Sequence, residues 1–415
     1  MVLARAIPDI VATLRVAQRW RLPVTAFGAG TGLEGGAIPV AGGISLDLGG
    51  MDQILRLSPE DLDATVEAGV HLRQLNARLG QEGLFFPVDP GSDPTLGGMA
   101  ATRASGTNAV LYGTMRENTL GLTVVLAGGE VVRTGGRARK SAAGYDLTRL
   151  FVGSEGTLGV IAEVTLRVYG RPEAVAVAAC ALPNLGAAVQ AVIEMIQSGI
   201  PLARIELLDE VMIDAVNRHS GLTHPVTPTL FLEFHGGPES VREQRREVTQ
   251  LVARQGGQLQ FAESPEGRAR LWRARHQALY AARALRPGST TWATDVCVPI
   301  SQLAECIAAT RAEVVASRLL APIVGHVGDG NFHLTFVLDP GDPDEARRAA
   351  AVDRRMVERA LAMGGTCSGE HGIGLGKRHF LQAEAGASLE VMRRLKTSLD
   401  PQGILNPGKV LDQAS

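Results

Sequence analysis

Three histidines and a glutamate stand out by type and spacing. Residues Val324–Phe336 read VGHVGDGNFHLTF, two strand-like runs on either side of Asp329-Gly330, a two-residue turn signal. Closing a hairpin on that turn pairs Gly328 with Asn331, Val327 with Phe332, and His326 with His333. Directly opposed residues of an antiparallel ladder share a face with Cβ atoms about 4.5–5.5 Å apart, so both imidazoles can reach one cation. The glycine-rich stretch Gly364–Lys377, GGTCSGEHGIGLGK, supplies a third ligand in Glu370. Neighbouring side chains on an extended segment diverge, so His371 can face a substrate while Glu370 ligates. A His326, His333, Glu370 set with an open position is catalytic in type and suits zinc and manganese alike. It would serve a hydrolase that activates water as well as an oxidoreductase that acidifies an alcohol.

A clamp for an anionic substrate is sought among the arginines of the helix-like run 266–284. Arg275 shares the stripe of Leu271, Trp272, Leu279 and Ala282, so it faces inward, where an unpaired guanidinium is costly. Either a substrate carboxylate or a structural salt bridge would satisfy it. His235 closes the strand TLFLEFH and reads as a strand-end cap, His219, His224, His276 and His379 as solvent-facing or structural, and Lys377-Arg378 as a solvated helix start.

The elements that must position these groups follow from periodicity. Strands are expected at 174–181, 203–208, 229–235, 258–262 and 291–298, between helices at 184–198, 239–255, 266–284 and 301–318. This is an α+β layer arrangement, and Gly170-Arg171-Pro172 marks a boundary before it. Helices are also expected at 344–363 and 385–398, and near the N-terminus, where Pro8 precedes IVATLRVAQRW.

Composition narrows the classes. The 415 residues, 45% of them hydrophobic, suffice for two or three domains. A net charge of −2 offers no broad basic field, so nucleic acid is not an expected partner. The four cysteines show no CxxC spacing, which speaks against a disulfide framework and for a reducing, cytoplasmic setting. No apolar run approaches the length of a membrane span.

Glycine is the unusual component: 49 residues, concentrated in the first 160 positions and after 325. A strand at 22–27 leads into GAGTGLEGGAIP, whose Gly30, Gly32 and Gly35 fit GxGxxG. A Rossmann site is rejected, because that fingerprint needs a helix where this chain continues with Gly36, Pro39, Gly42, Gly43 and the strand ISLDL. Such a loop can instead offer successive backbone N–H groups to a pyrophosphate. PGSDPTLGGMAATRASGTNAVLYG (90–113) and VGSEGTLGVI (152–161) repeat the feature, and three such loops suit an extended dinucleotide.

With GHVGDGNFH, CSGEHGIGLGK and DPQGILNPGKV, these segments resemble the FAD-linked D-lactate dehydrogenase (cytochrome type) and glycolate oxidase flavin-subunit family, flavoproteins of the vanillyl-alcohol oxidase type. The resemblance implies a two-part FAD-binding domain of that (PCMH) type over 1–170. It implies an α+β ferredoxin-like substrate domain over 171–415 whose tail returns to the flavin. It implies FAD held by Gly28, Ala29, Gly30, Thr31, Gly32 and Leu33, by Pro90, Gly91, Gly97, Gly98, Ser105, Gly106, Asn108 and Gly113, by Glu155, Gly156, Gly159 and Ile161, and by Asn406. Residues 28–32 contain neither His nor Cys, so the flavin is expected to be non-covalent.

The implied reaction is oxidation of D-lactate to pyruvate, with glycolate and D-2-hydroxyglutarate as alternatives. His371 would be the base, Arg275 the carboxylate clamp, and Thr335 a further lining residue. Where 2-hydroxyglutarate enzymes carry a lysine in a KYD-like triplet, this chain reads Ala293-Thr294-Asp295, which favours a smaller acid. The implied electron acceptor is cytochrome c, a quinone or an iron–sulfur subunit, with a homodimer or a location peripheral to the inner membrane as options. Relatives carry more chain before the first helix, so either the start is misassigned or an edge strand is expected to be missing.

Overall fold

A computed structural model describes residues 1–412. The chain forms two units, the first from Met1–Gly106, Tyr112–Arg171 and the described residues from Glu370 onward, the second from Thr107–Leu111 and Pro172–Gly369. Internal contacts group the segment after Gly369 with the first unit, whereas the division expected from the sequence runs 1–170 and 171–415.

In the first unit, helix Ile7–Trp20 opens with Pro8 in its first turn and with the Asp9 carboxylate accepting from the amides of Arg5 and Ala6 at 2.8 and 3.1 Å. Those bonds satisfy donors that have no intrahelical partner. Ile10, Thr13, Leu14 and Ala17, at helical spacing, form its buried stripe. Ile10, Leu14 and Ala17 pack with Val24, Leu46, Ile404 and Leu405, and each large aliphatic side chain so buried stabilises by roughly 1.5–3 kcal/mol. Strands Val2–Leu3, Ile44–Asp47 and Val24–Phe27 make a parallel sheet in that order. Val2–Leu3 is the edge strand of this sheet. A second, antiparallel sheet runs Ile54–Ser58, Asp63–Glu67, Val160–Arg167, Thr119–Val125, Val131–Gly135. After Phe27 the chain continues without a helix to Ile44, as the rejection of a Rossmann turn requires. The tail returns beside Val24, whose amide donates to Ile404 O at 2.7 Å and whose carbonyl accepts from Asn406 N at 2.8 Å.

The second unit is built on an antiparallel sheet ordered Gln258–Phe261, Ala174–Ala181, Thr229–Gly236, Leu202–Leu208, Ile323–Gly325, Asn331–Leu338, Thr290–Ala293, with Val296–Cys297 also pairing Asn331–Leu338. One face packs Val177, Phe231, Leu208, Val324 and Val337 against helices Glu210–Ser220, Pro265–His276 and Ala278–Ala284. The opposite face meets helix Pro238–Arg254, so the strands read as nearly continuous apolar runs. By alternation, Arg204, Glu206, Glu233, His326, His333 and Thr335 share the first face. Charge on an otherwise apolar face is costly unless paired, which singles these residues out.

Candidate functional site

The ladder is offset by two residues from the one its turn signal suggests. Val324 pairs with His333 and Ile323 with Leu334, and Val327–Gly330 form a four-residue turn, with Asp329 N and Gly330 N donating to His326 O and Val327 O. His326 and His333 are therefore diagonal neighbours instead of opposed ones. Because the slip is even, both side chains keep the same face. Their ring centroids lie 5.6 Å apart at 82°, and a ring nitrogen of each lies within 4.8 Å of one on the other.

Each ring has its proton placed by a neighbour. His333 Nδ1 stands 2.8 Å from Thr294 O, which can only accept, so Nδ1 carries the proton and Nε2 the lone pair. His326 Nδ1 stands 2.6 Å from Glu206 Oε1. Burial raises the Glu206 pKa, but Arg275 and His326 outweigh it and hold this carboxyl below its ordinary range, so it is an ionised acceptor. A carboxylate or carbonyl behind each imidazole, presenting Nε2 as ligand, is the usual outer shell of a metal-binding histidine.

Thr366–Gly369 runs beside the strand that pairs with the His333 strand. Thr366 exchanges backbone hydrogen bonds with Cys297, Ser368 Oγ donates to Asp295 at 2.9 Å, and Gly369 packs on Asn331 and Asp295 so closely that a Cβ would meet both. Glu370 follows Gly369 by one peptide bond, about 3.8 Å from Cα to Cα. Within the second unit, His326 and His333 offer two imidazole nitrogens of a kind that binds divalent ions, and Glu370, with its carboxylate, begins the next stretch of chain.

Arg275 faces inward as expected, but its Nε donates to Glu206 at 2.6 Å and its side chain is only 12% exposed. The structural salt bridge is the arrangement found, and the guanidinium supports His326 through Glu206. Sequence reasoning missed Glu206, because a lone Glu in LARIELL reads as an ordinary polar alternation, and it missed the role of Thr294 because a main-chain carbonyl leaves no mark on residue type. Thr335 is buried on the His333 face, opposite Ala293. His235 lies 2.7 Å from Glu233. Lys377, read as solvated, is buried and pairs with Glu34 at 3.5 Å.

In the first unit, the glycines of the proposed flavin loops divide by physical role. At Gly28, Gly97, Gly106 and Gly159 a Cβ would collide with Thr95, Ala68, Asp89 and Val124, so the chain itself needs them. At Gly113 it would meet Glu117. At Gly32 and Gly91 nothing lies within 4 Å of that position, and residues 30–33 are exposed. The backbone of 30–33 is therefore open to close approach by a nucleotide, with Gly30 at φ +66, and it fits FAD. The Ile161 side chain is committed to the core, and Asn108 lies in the second unit, where Oδ1 accepts from Arg204 Nε at 2.9 Å. The Asn406 amide donates to Gly36 O and Glu155 O at 3.0 and 2.7 Å, tying loops together.

Comparison with known proteins places the chain. Residues 1–135 match the FAD binding domain model and residues 171–410 the model of FAD linked oxidases, C-terminal domain. The chain belongs to this family of FAD-linked oxidoreductases. It is 54% identical over 99% of its length to a probable mitochondrial D-lactate dehydrogenase of Danio rerio, covering 84% of that protein. It is 45% identical over 99% of its length to a mitochondrial D-lactate dehydrogenase (cytochrome) of Arabidopsis thaliana, covering 73%. The structure of p-cresol methylhydroxylase superposes with a TM-score of 0.80 at 18% identity, covering 99% of this chain and 88% of that one. The PCMH-type fold expected from the resemblance is the fold found.

Proposed function

We propose that the protein oxidises a small D-2-hydroxy acid, D-lactate to pyruvate foremost, and passes the electrons to a cytochrome. The observation that carries this reading is the buried pair His326 and His333, each with Nδ1 within hydrogen-bond distance of a protein oxygen, in a chain 54% identical to a relative named probable D-lactate dehydrogenase. His326, His333 and Glu370 would hold zinc or manganese, which supplies a Lewis acid toward the substrate hydroxyl. FAD, bound non-covalently along residues 28–33 and the two later glycine loops, supplies the hydride acceptor. His371 takes the hydroxyl proton as a neutral imidazole. Thr335 lines the substrate side, and Arg275 acts through Glu206 to hold His326. Ala293-Thr294-Asp295 brings no cation to a second substrate carboxylate, which favours lactate over 2-hydroxyglutarate.

The test is anaerobic bleaching of the flavin's visible absorption. D-Lactate should bleach it, with L-lactate inert and D-2-hydroxyglutarate slower. After removal of the divalent ion by a chelator, flavin should remain bound while bleaching stops. A colourless protein after reconstitution with FAD would end the reading, and bleaching by glycolate but not by D-lactate would move the substrate assignment.

A further inference from the structure

The glycines of GEHGIGLG, just beyond His371, build a receptor for an anion, and the anion is part of the chain. Gly372 and Gly374 have φ of +85 and +46, left-handed values that turn successive amides toward one point. At that point sits the Glu155 carboxylate, where Ile373 N donates to Oε1 at 2.7 Å and Gly374 N to Oε2 at 2.9 Å. Glu155 is 8% exposed and itself left-handed at φ +52, a conformation that is strained for a non-glycine residue. Its surroundings enforce it: Glu155 N donates to Ala101 O at 2.9 Å, and Glu155 O accepts from Asn406 Nδ2 at 2.7 Å. The same loop is stitched to the first glycine loop by Leu375 N donating to Glu34 O at 2.7 Å, and to the tail by Val410 N donating to Gly374 O at 3.0 Å. A Cβ at Gly372 would come within 2.9 Å of Glu155 Oε1.

We infer that Glu155 is a positioning residue: its carboxylate anchors the loop carrying Glu370 and His371 to the glycine loops that take FAD. This rests on the reading of His371 as the base. Its side chain is thereby spent on the polypeptide and not on the flavin that the resemblance implied for it. Only a carboxylate suits the role. A carboxamide would set an N–H donor against one of the two main-chain donors, and an apolar side chain would leave both without an acceptor.

The experiment compares Glu155→Gln, Glu155→Asp and His371→Ala holoenzymes by amide hydrogen exchange over 371–377, FAD per chain, and turnover. Glu155→Gln should raise exchange of the 373 and 374 amides about tenfold or more, as loss of a buried bond entails. It should lower kcat roughly 10- to 100-fold, as misplacement of a reacting group by about 1 Å does. Turnover is therefore expressed per bound FAD, so that any loss of flavin is separated from the loss of kcat. Glu155→Asp should recover part of both losses, and Gly372→Ala, which displaces the amides and spares the carboxylate, should repeat them if the Gln variant folds poorly. His371→Ala should lose turnover with exchange unchanged. Wild-type exchange in Glu155→Gln overturns the inference, as does turnover that falls only in proportion to bound FAD. Raised exchange with full turnover per flavin also overturns the positioning role, whereas full turnover in His371→Ala removes the base assignment instead.

Discussion

The proton on each candidate ligand is set by one neighbouring atom, Thr294 O for His333 and Glu206 Oε1 for His326. Removing the Glu206 charge should therefore loosen the ion without touching the flavin loops. Glu206→Gln should weaken divalent-ion affinity roughly 10- to 100-fold, the usual effect of losing an outer-shell carboxylate, as read by chelator competition, with FAD content unchanged. An unaltered affinity would break the link between Glu206 and ion binding. His326, His333, Glu370 and His371 were legible from local spacing, because turn signals and strand alternation act over a few residues. Glu206 was not, since it meets His326 from 120 positions away. Arg275 was legible as inward-facing, yet whether its anion was substrate or protein depended on that same distant strand.

Among the elements, the hairpin shows how far turn chemistry reaches. Asp329-Gly330 marked the turn, and Gly330 at φ +78, with Val298 O filling the space a Cβ would need, shows why a glycine stands there. The register then followed the four-residue loop and the pairing with flanking strands, and an error of two left the face intact. Helix Glu210–Ser220 offers a test of buried charge. Its N-cap Asp209 accepts from Met212 N at 2.7 Å and from Arg311 at 3.1 Å, yet burial raises its pKa from 3.8 to about 7. Between those values the native state holds a proton that the unfolded chain has released, so stability is full below the lower value and falls as pH rises through the window. Asp209→Asn keeps a good cap and removes the titration. Its melting temperature should vary less between pH 4 and pH 7 than the wild type's, and parallel curves in a thermal-shift series would refute this.

At the scale of the whole molecule, the chain leaves its first unit at Arg171 and re-enters it at Glu370. Ile404 and Leu405 complete a core begun by Ile10, Leu14 and Val24, so the last residues are structural for the first. A chain ended at Asp400 loses two buried aliphatic side chains worth about 2–5 kcal/mol each. It should lose FAD and the thermal transition of the first unit while the unit spanning 172–369 still melts cooperatively. Retention of FAD by that truncation would show the tail to be dispensable.

Residue type and short-range spacing alone determined the turn, the facing of the strands and the glycine loops, and marked four candidate site residues, because steric and hydrogen-bond rules for these act within about ten residues. The tertiary structure alone decided the register, the return of the tail and the partners of Arg275, Glu155 and Asn406. The last two depend on groups brought together from 69 to 381 positions apart, a distance over which local physics carries no information.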